Sequence, residues 1–253
     1  MNTQPRHVIC VLGQWDDFTS VQSIVDSVSP EFALDLEYSQ LEPDNRMKDA
    51  FVASVDRNNP TIIGDEWRAI DSHSAVAYIL SPPIKKNDSE SISATALLLV
   101  AELLKAGGVA AKSESAGLAH GRERWLELAL QYRKGIKDGD THAASAALYR
   151  AWVQRAIHDE DTSSLYSVGM HLLGHRDVEV DDELDVPDAV KWIDLMGLYL
   201  FADKPNRALR EGEGFRLSDS GPRRIIELDN CHRYAEDDFF FNPYGYIRLV
   251  ESK

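Results

Sequence analysis

Ser113, Glu114 and His120 stand close together in the chain, with Ser115 between them. A serine becomes a nucleophile when a histidine takes its proton and a carboxylate holds that histidine, so these are the residue types of acyl transfer. Their spacing argues against that use. Triad members converge from separate elements, and the G-x-S-x-G turn that exposes a nucleophilic serine is absent. The simpler reading is a polar loop that caps the helix after it. His171 and His175 have the i, i+4 spacing of a zinc-binding helix. However, Leu172 replaces the glutamate such a helix carries, Gly174 interrupts it, and the preceding residues look like a strand. On a strand the two rings would lie about 13 Å apart, too far to share an ion. Asp177 and Glu179 could add oxygen ligands only if the chain turned back. The expectation is satisfied structural histidines, no metal and no cofactor. Cys231 and His232 form an isolated pair. Gly212, Glu213 and Gly214 are a fragment of a glycine-rich loop and read as a turn; no dinucleotide or P-loop fingerprint is present. With 42 acidic residues, paired carboxylates occur everywhere and identify no glycosidase site.

The elements that must position any site follow from periodicity. Residues 7–12 are apolar and β-branched, a buried strand. Asp16, Asp17 and Thr19 can cap a helix whose apolar positions are Val21, Ile24, Val25 and Val28, and Pro30 stops it. Residues 32–38 alternate as a half-buried strand. Residues 44–55 suit a helix with Met47, Phe51 and Val55 on one face, and Asn58, Asn59 and Pro60 a turn. Residues 75–80 form another buried strand. Residues 89–106 form the strongest helix, apolar around much of its circumference, with Gly107 a left-handed end. A short strand at 109–112 and a helix at 122–133 follow, the latter with Trp125, Leu128, Ala129 and Tyr132 inward. Residues 134–142 read as a surface loop, the one stretch where a sub-boundary could fall. Residues 143–157 admit a helix or a strand entered at Leu148; the turn-like 158–163 and the strand-like 165–173 favour a hairpin. Pro187 starts a helix with Val190, Ile193, Met196, Gly197 and Leu200 inward. Residues 223–228 and 246–250 read as strands closing the sheet. The predicted class is α+β (mixed α/β): a mixed β-sheet with helices packed against it, one unit over 1–253.

The formal charge of −15, from 42 acidic and 27 basic residues, disfavours nucleic acid and anionic membranes. The same field attracts a basic protein partner, although many proteins are acidic for solubility alone. Two cysteines do not make a disulfide scaffold, and the first residues lack a signal peptide's apolar stretch, which leads to the expectation of a cytoplasmic protein.

Two segments depart from this background. Residues 177–188 hold Asp177, Glu179, Asp181, Asp182, Glu183, Asp185 and Asp188 among short apolar residues. The last two suit a helix N-terminus; the other five read as partner-binding. In residues 234–246, Glu236, Asp237 and Asp238 run into Phe239, Phe240 and Phe241, followed by Asn242, Pro243, Tyr244 and Gly245. Three consecutive phenylalanines cannot all point inward from a strand. Aromatics ringed by acids have the composition of an interface hot spot. A tail that pins the C-terminus into the core would use the same residues, and the sequence leaves both open. As an interface, the segment would contribute Glu236, Asp237, Asp238, Phe239, Phe240 and Tyr244.

The stretches SLYSVGMHLLGHRDVEV, DAVKWIDLMGLYLF and FFFNPYGYIRL, with AELLKAGGVAAKSESAGLAHGRERW before them, resemble an uncharacterised bacterial domain-of-unknown-function family over about residues 75–250. That resemblance implies no catalytic residues. Acidic proteins of this kind resemble immunity proteins, which neutralise toxins delivered between competing bacteria, so the implied partner is a basic cognate toxin. The competing expectation is a hydrolase or transferase built around Ser113, Glu114 and His120, or around His171 and His175.

Overall fold

The apolar run Val8–Gly13 is buried along its whole length and forms strand β1 at the centre of a five-stranded sheet. The computed structural model describes residues 4–56, 62–159, 161, 163–181 and 183–252; the turn expected at Asn58–Pro60, and Asp182, lie outside them. β1 pairs antiparallel with β3 (Ala75–Leu80) and β4 (Gly108–Ser113), while β2 (Ala33–Gln40) and β5 (Leu118–Gly121) form the edges. Helix α1 (Thr19–Val28) joins β1 to β2, and α4 (Ser89–Lys105) joins β3 to β4. The order β2-β3-β1-β4 with these connections is the split β-α-β arrangement of ferredoxin-like folds. Alternation along the strands buries both faces. Ile9, Val11, Ala77 and Ile79 meet α1 and α4. Cys10, Leu12 and Val76 meet α2 (Met47–Ser54) and α3 (Asp65–Asp71), inserted between β2 and β3.

Helix α4 is buried on several sides because α1, α5 (Arg122–Asp138) and α6 (Thr141–Trp152) all pack on it. Two core indoles fix that packing: Trp125 Nε1 donates to the Leu97 carbonyl (3.1 Å) and Trp152 Nε1 to that of Ser93 (3.1 Å). Three local expectations are corrected in this region. Residues 134–142 are not a surface loop: α5 continues to Asp138, Gly139 closes it at φ +72°, and the Asp140 side chain caps α6 by accepting from Ala143 N (2.9 Å). Residues 148–152 are helical, and the hairpin begins only at β6 (Gln154–Asp159), because the alanine-rich stretch after a cap favours helix and buries its small side chains. Residues 113–121 are not a capping loop: Ser113 ends β4, residues 118–121 form β5, and residues 114–117 make the turn between them.

The remaining strands build a second sheet, in the order β6-β7-β8-β11-β10-β9. These are β7 (Ser164–Val168), β8 (Asp177–Asp181), β9 (Gly214–Arg216), β10 (Arg223–Asp229) and β11 (Tyr246–Glu251); β8 and β11 run parallel and the other pairs antiparallel. The last strands therefore close a sheet of their own and not the first one. Helix α7 (Val186–Leu198) is capped by Asp185, which accepts from Asp188 N, with Pro187 in its first turn as the sequence predicts. Ala189, Trp192, Ile193 and Met196 of α7 cover Val178, Val180, Ile226, Ile247 and Leu249. Two mixed or antiparallel sheets carrying packed helices give the predicted α+β class. Among the described residues no helix is long and apolar enough to cross a membrane.

The strand expected over 165–173 ends at Val168. Gly169 turns the chain at φ +120°, and Met170–Leu173 forms a 3-10 turn. A Cβ at position 169 would lie 2.0 Å from the Trp152 carbonyl oxygen. Gly169→Ala should therefore cost at least about 2 kcal/mol in chemical denaturation, from backbone strain and this overlap together. A change within about 0.5 kcal/mol would show that the turn is not held in this conformation.

Candidate recognition surface

The alternation of residues 177–181 decides where their charges go. In β8, Val178 and Val180 face α7, so Asp177, Glu179 and Asp181 face the other side of the sheet. Cross-strand register places Tyr166 beside Glu179, Tyr246 beside Asp177, and Arg248 between Glu179 and Glu227. Residues 230–245, which lack helix and strand, pass over this face as a strap.

Arg233 anchors the strap. Its guanidinium pairs with Asp159 through Nε (2.5 Å) and with Glu179 (2.7 Å), donates to Ser164 Oγ (3.0 Å), and lies 4.5 and 4.8 Å from the ring centroids of Tyr166 and Tyr246. Arg248 donates to the other Glu179 oxygen (2.9 Å). The second anchor is Asn242, fully buried, whose Nδ2 donates to Asp177 (2.6 Å) and to the His175 carbonyl (3.1 Å). Asp177 also accepts from Ser167 Oγ (3.0 Å) and Met170 N (3.2 Å). Burial pushes the Asp177 carboxyl up to about 7, against the pull of these donors. Tyr234 and Tyr166 share a hydroxyl hydrogen bond of 2.6 Å.

The expected partner-binding residues thus separate. Asp177 (1% exposed) and Glu179 (3%) are corrected: they are the internal counterparts of the strap and face no partner. Asp181, at the far end of β8, is half-exposed and bound to Arg224 (2.9 Å), and Glu183 is exposed in the turn before α7. Asp182 lies outside the described residues. Glu236, Asp237 and Asp238 are exposed, and Asp238 accepts from Phe240 N (2.8 Å). Phe239 is 56% exposed, whereas Phe240 turns inward, edge-on to Tyr234 at 5.4 Å and close against Gly117. Tyr244 is half-buried and belongs to a cavity. Sequence reasoning missed Arg233, Arg248, Asn242, Tyr166, Tyr234 and Tyr246. Arg248 carried a signal: a charge alternating with Ile247 and Leu249 must find a partner on the polar face of its sheet.

The residues weighed for catalysis do not assemble. Glu114 pairs with Lys112 (2.8 Å) on one face of the first sheet, while Ser113 and His120 are buried on the other. Burial lowers His7 to about 3, and His120, His171 and His175 each to about 4. His171 sits in the core and His175 on the cavity wall; among the described residues no three histidine, cysteine, aspartate or glutamate side chains are grouped to hold a metal ion. Burial also pushes the Cys10 thiol up to about 12, which keeps it from acting as a nucleophile.

The cavity, of about 960 Å³, opens where the start of α4, the turn at 173–176, residues 200–209 and the ends of β10 and β11 meet. Comparison with known proteins adds no relative: no family model, no curated protein and no solved structure matches the chain.

Two predictions follow from the buried charges. Arg233→Met leaves Glu179 and Asp159 without their shared cation and should cost about 3–5 kcal/mol. Glu179→Gln should be non-additive with it in a double-mutant cycle, and strict additivity would sink the network. The second concerns acid. Four histidines held neutral contribute stability that is present above about pH 6.5 and lost as the pH falls toward 4. Asp177 acts the other way, since its raised value stabilises the fold at low pH and loses that contribution between about 4 and 7. These five groups together should make unfolding near pH 5 take up about three protons, read from the slope of stability against pH. His171→Leu should remove about one; an unchanged slope would mean that His171 is not held neutral.

Proposed function

We propose that this chain is a protein-binding protein of the immunity type, which captures a basic partner, expected to be a cognate toxin domain, through the ridge at residues 236–239. The observation that carries this reading is Phe239, 56% exposed directly after three exposed acids, on a strap locked at Arg233, Phe240 and Asn242. An aromatic anchor with acidic neighbours supplies apolar contact and steering together. A ridge already fixed from beneath loses little entropy when it docks. Asp181 and Glu183 lie at the other end of β8, so they extend the acidic field without belonging to the ridge. The immunity assignment rests on the chain's acidity and the resemblance of its later segments, and the placement of Glu114 on the sheet face opposite Ser113 and His120 favours binding over hydrolysis at those residues.

The test uses the full chain and the product of the neighbouring gene. The two should co-purify, and co-expression should rescue growth where that product is toxic. Phe239→Ala should weaken the complex at least about tenfold at unchanged melting temperature. Asp237→Lys with Asp238→Lys should slow association and flatten its salt dependence. Neither complex nor rescue would overturn the reading, and so would a complex indifferent to both variants.

A further inference from the structure

The cavity has a charge opposite to that of the chain. Lys86, Arg176, Lys204 and Arg207 line it against a single acid, Glu90, in a molecule whose formal charge is −15. Four cations at one opening suit a multiply charged anion better than a single carboxylate. Their present partners leave room for one. Lys86 has no acid partner among the described residues; its ammonium lies 5.8 Å from the Tyr244 ring centroid. Lys204 pairs with Glu90 (2.7 Å) and Arg207 with Glu213, but both are exposed pairs of the kind that stabilise little and exchange readily. Arg176 is committed to the carbonyls of Asp229 and Tyr246 and serves the wall.

Apolar side chains share the lining with polar ones. Leu200, Leu209 and Leu228 lie in it with the Tyr244 ring, among Asn87, Ser89, Asn206 and Asn230. His175 stands edge-on to Phe201 at 5.8 Å, and neither of its ring nitrogens is hydrogen-bonded to a described residue. The wall itself is irregular: α7 passes into a π-helical turn, Tyr199–Asp203, and then into Lys204 at φ +47°. Such turns recur at functional sites, where they re-aim side chains at a bound group. The volume of about 960 Å³ suits a small molecule.

We propose that this cavity binds a phosphate monoester carrying a flat aromatic base, of the nucleoside monophosphate class, with the phosphate at Lys86, Lys204 and Arg207 and the base against Tyr244 and the leucines of the lining. This site is separate from the ridge at 236–239 and does not depend on the protein-binding reading.

The full chain is titrated by calorimetry at low salt with AMP, adenosine and inorganic phosphate. AMP should bind saturably and lose affinity with added salt, and adenosine and phosphate should each bind at least about tenfold more weakly. Lys86→Gln and Tyr244→Leu should each weaken AMP about tenfold at unchanged melting temperature. No AMP binding up to about 10 mM would overturn the proposal. Phosphate binding as tightly as AMP would overturn the role of the base, and AMP binding indifferent to both variants would overturn the location.

Discussion

A guanidinium shut between two phenol rings cannot reach water freely, so its charge must be met inside the protein. Arg233 is in that position, and much of the second half of the molecule is arranged to meet it. Glu179 on β8 and Asp159 on β6 supply the charge, Ser164 takes a further donor, and Tyr166 and Tyr246 supply the faces. The partners come from four strands, β6, β7, β8 and β11, so the strap can lie down only on a sheet in the correct register. Burying these charges is costly on its own. What the arrangement yields is one defined path for residues 230–245, which have no helix or strand to define it for them.

That path also joins the two halves. Phe240 rests against Gly117, in the turn between β4 and β5, while Asn242 reaches Asp177 and the His175 carbonyl in the second half. Arg155 crosses elsewhere, binding Asp56 beyond α2 and Asp194 on α7 (2.8 Å). Ser93 of α4 completes the seam by donating to the Leu172 carbonyl (2.9 Å). The exposed ridge at 236–239 and the cavity wall at Tyr244 are therefore presented by one short segment, each held in place by the anchors between them.

The distribution of charge carries more meaning than its sum. Part of the acidity is internal and consumed by arginines; part is exposed beside Phe239; and at the cavity the sign reverses. A uniform acidic surface would explain solubility and nothing else. Separate fields of opposite sign on one molecule instead favour ligands of different chemistry at different places.

The sequence by itself determined the elements whose pattern is local. Strand β1, the all-round apolar helix α4, the capped start of α7 at Asp185 and Pro187, and the strands at 223–229 and 246–251 follow from periodicity and end signals read over a few residues. Residues 177–181 stand out for their acids and not as a strand, and nothing in the segment itself tells which face those acids meet. That depends on Arg233 and Arg248, which lie more than fifty residues away and become neighbours only through the path of residues 230–245 and the parallel pairing of β8 with β11. The division into two sheets, the two phenylalanines turned opposite ways at 239 and 240, and the gathering of Lys86, His175, Lys204 and Tyr244 around one cavity have the same origin. Local pattern fixes a side chain's direction relative to its own element; only the packing of distant elements decides whether that direction leads to solvent or to a buried partner.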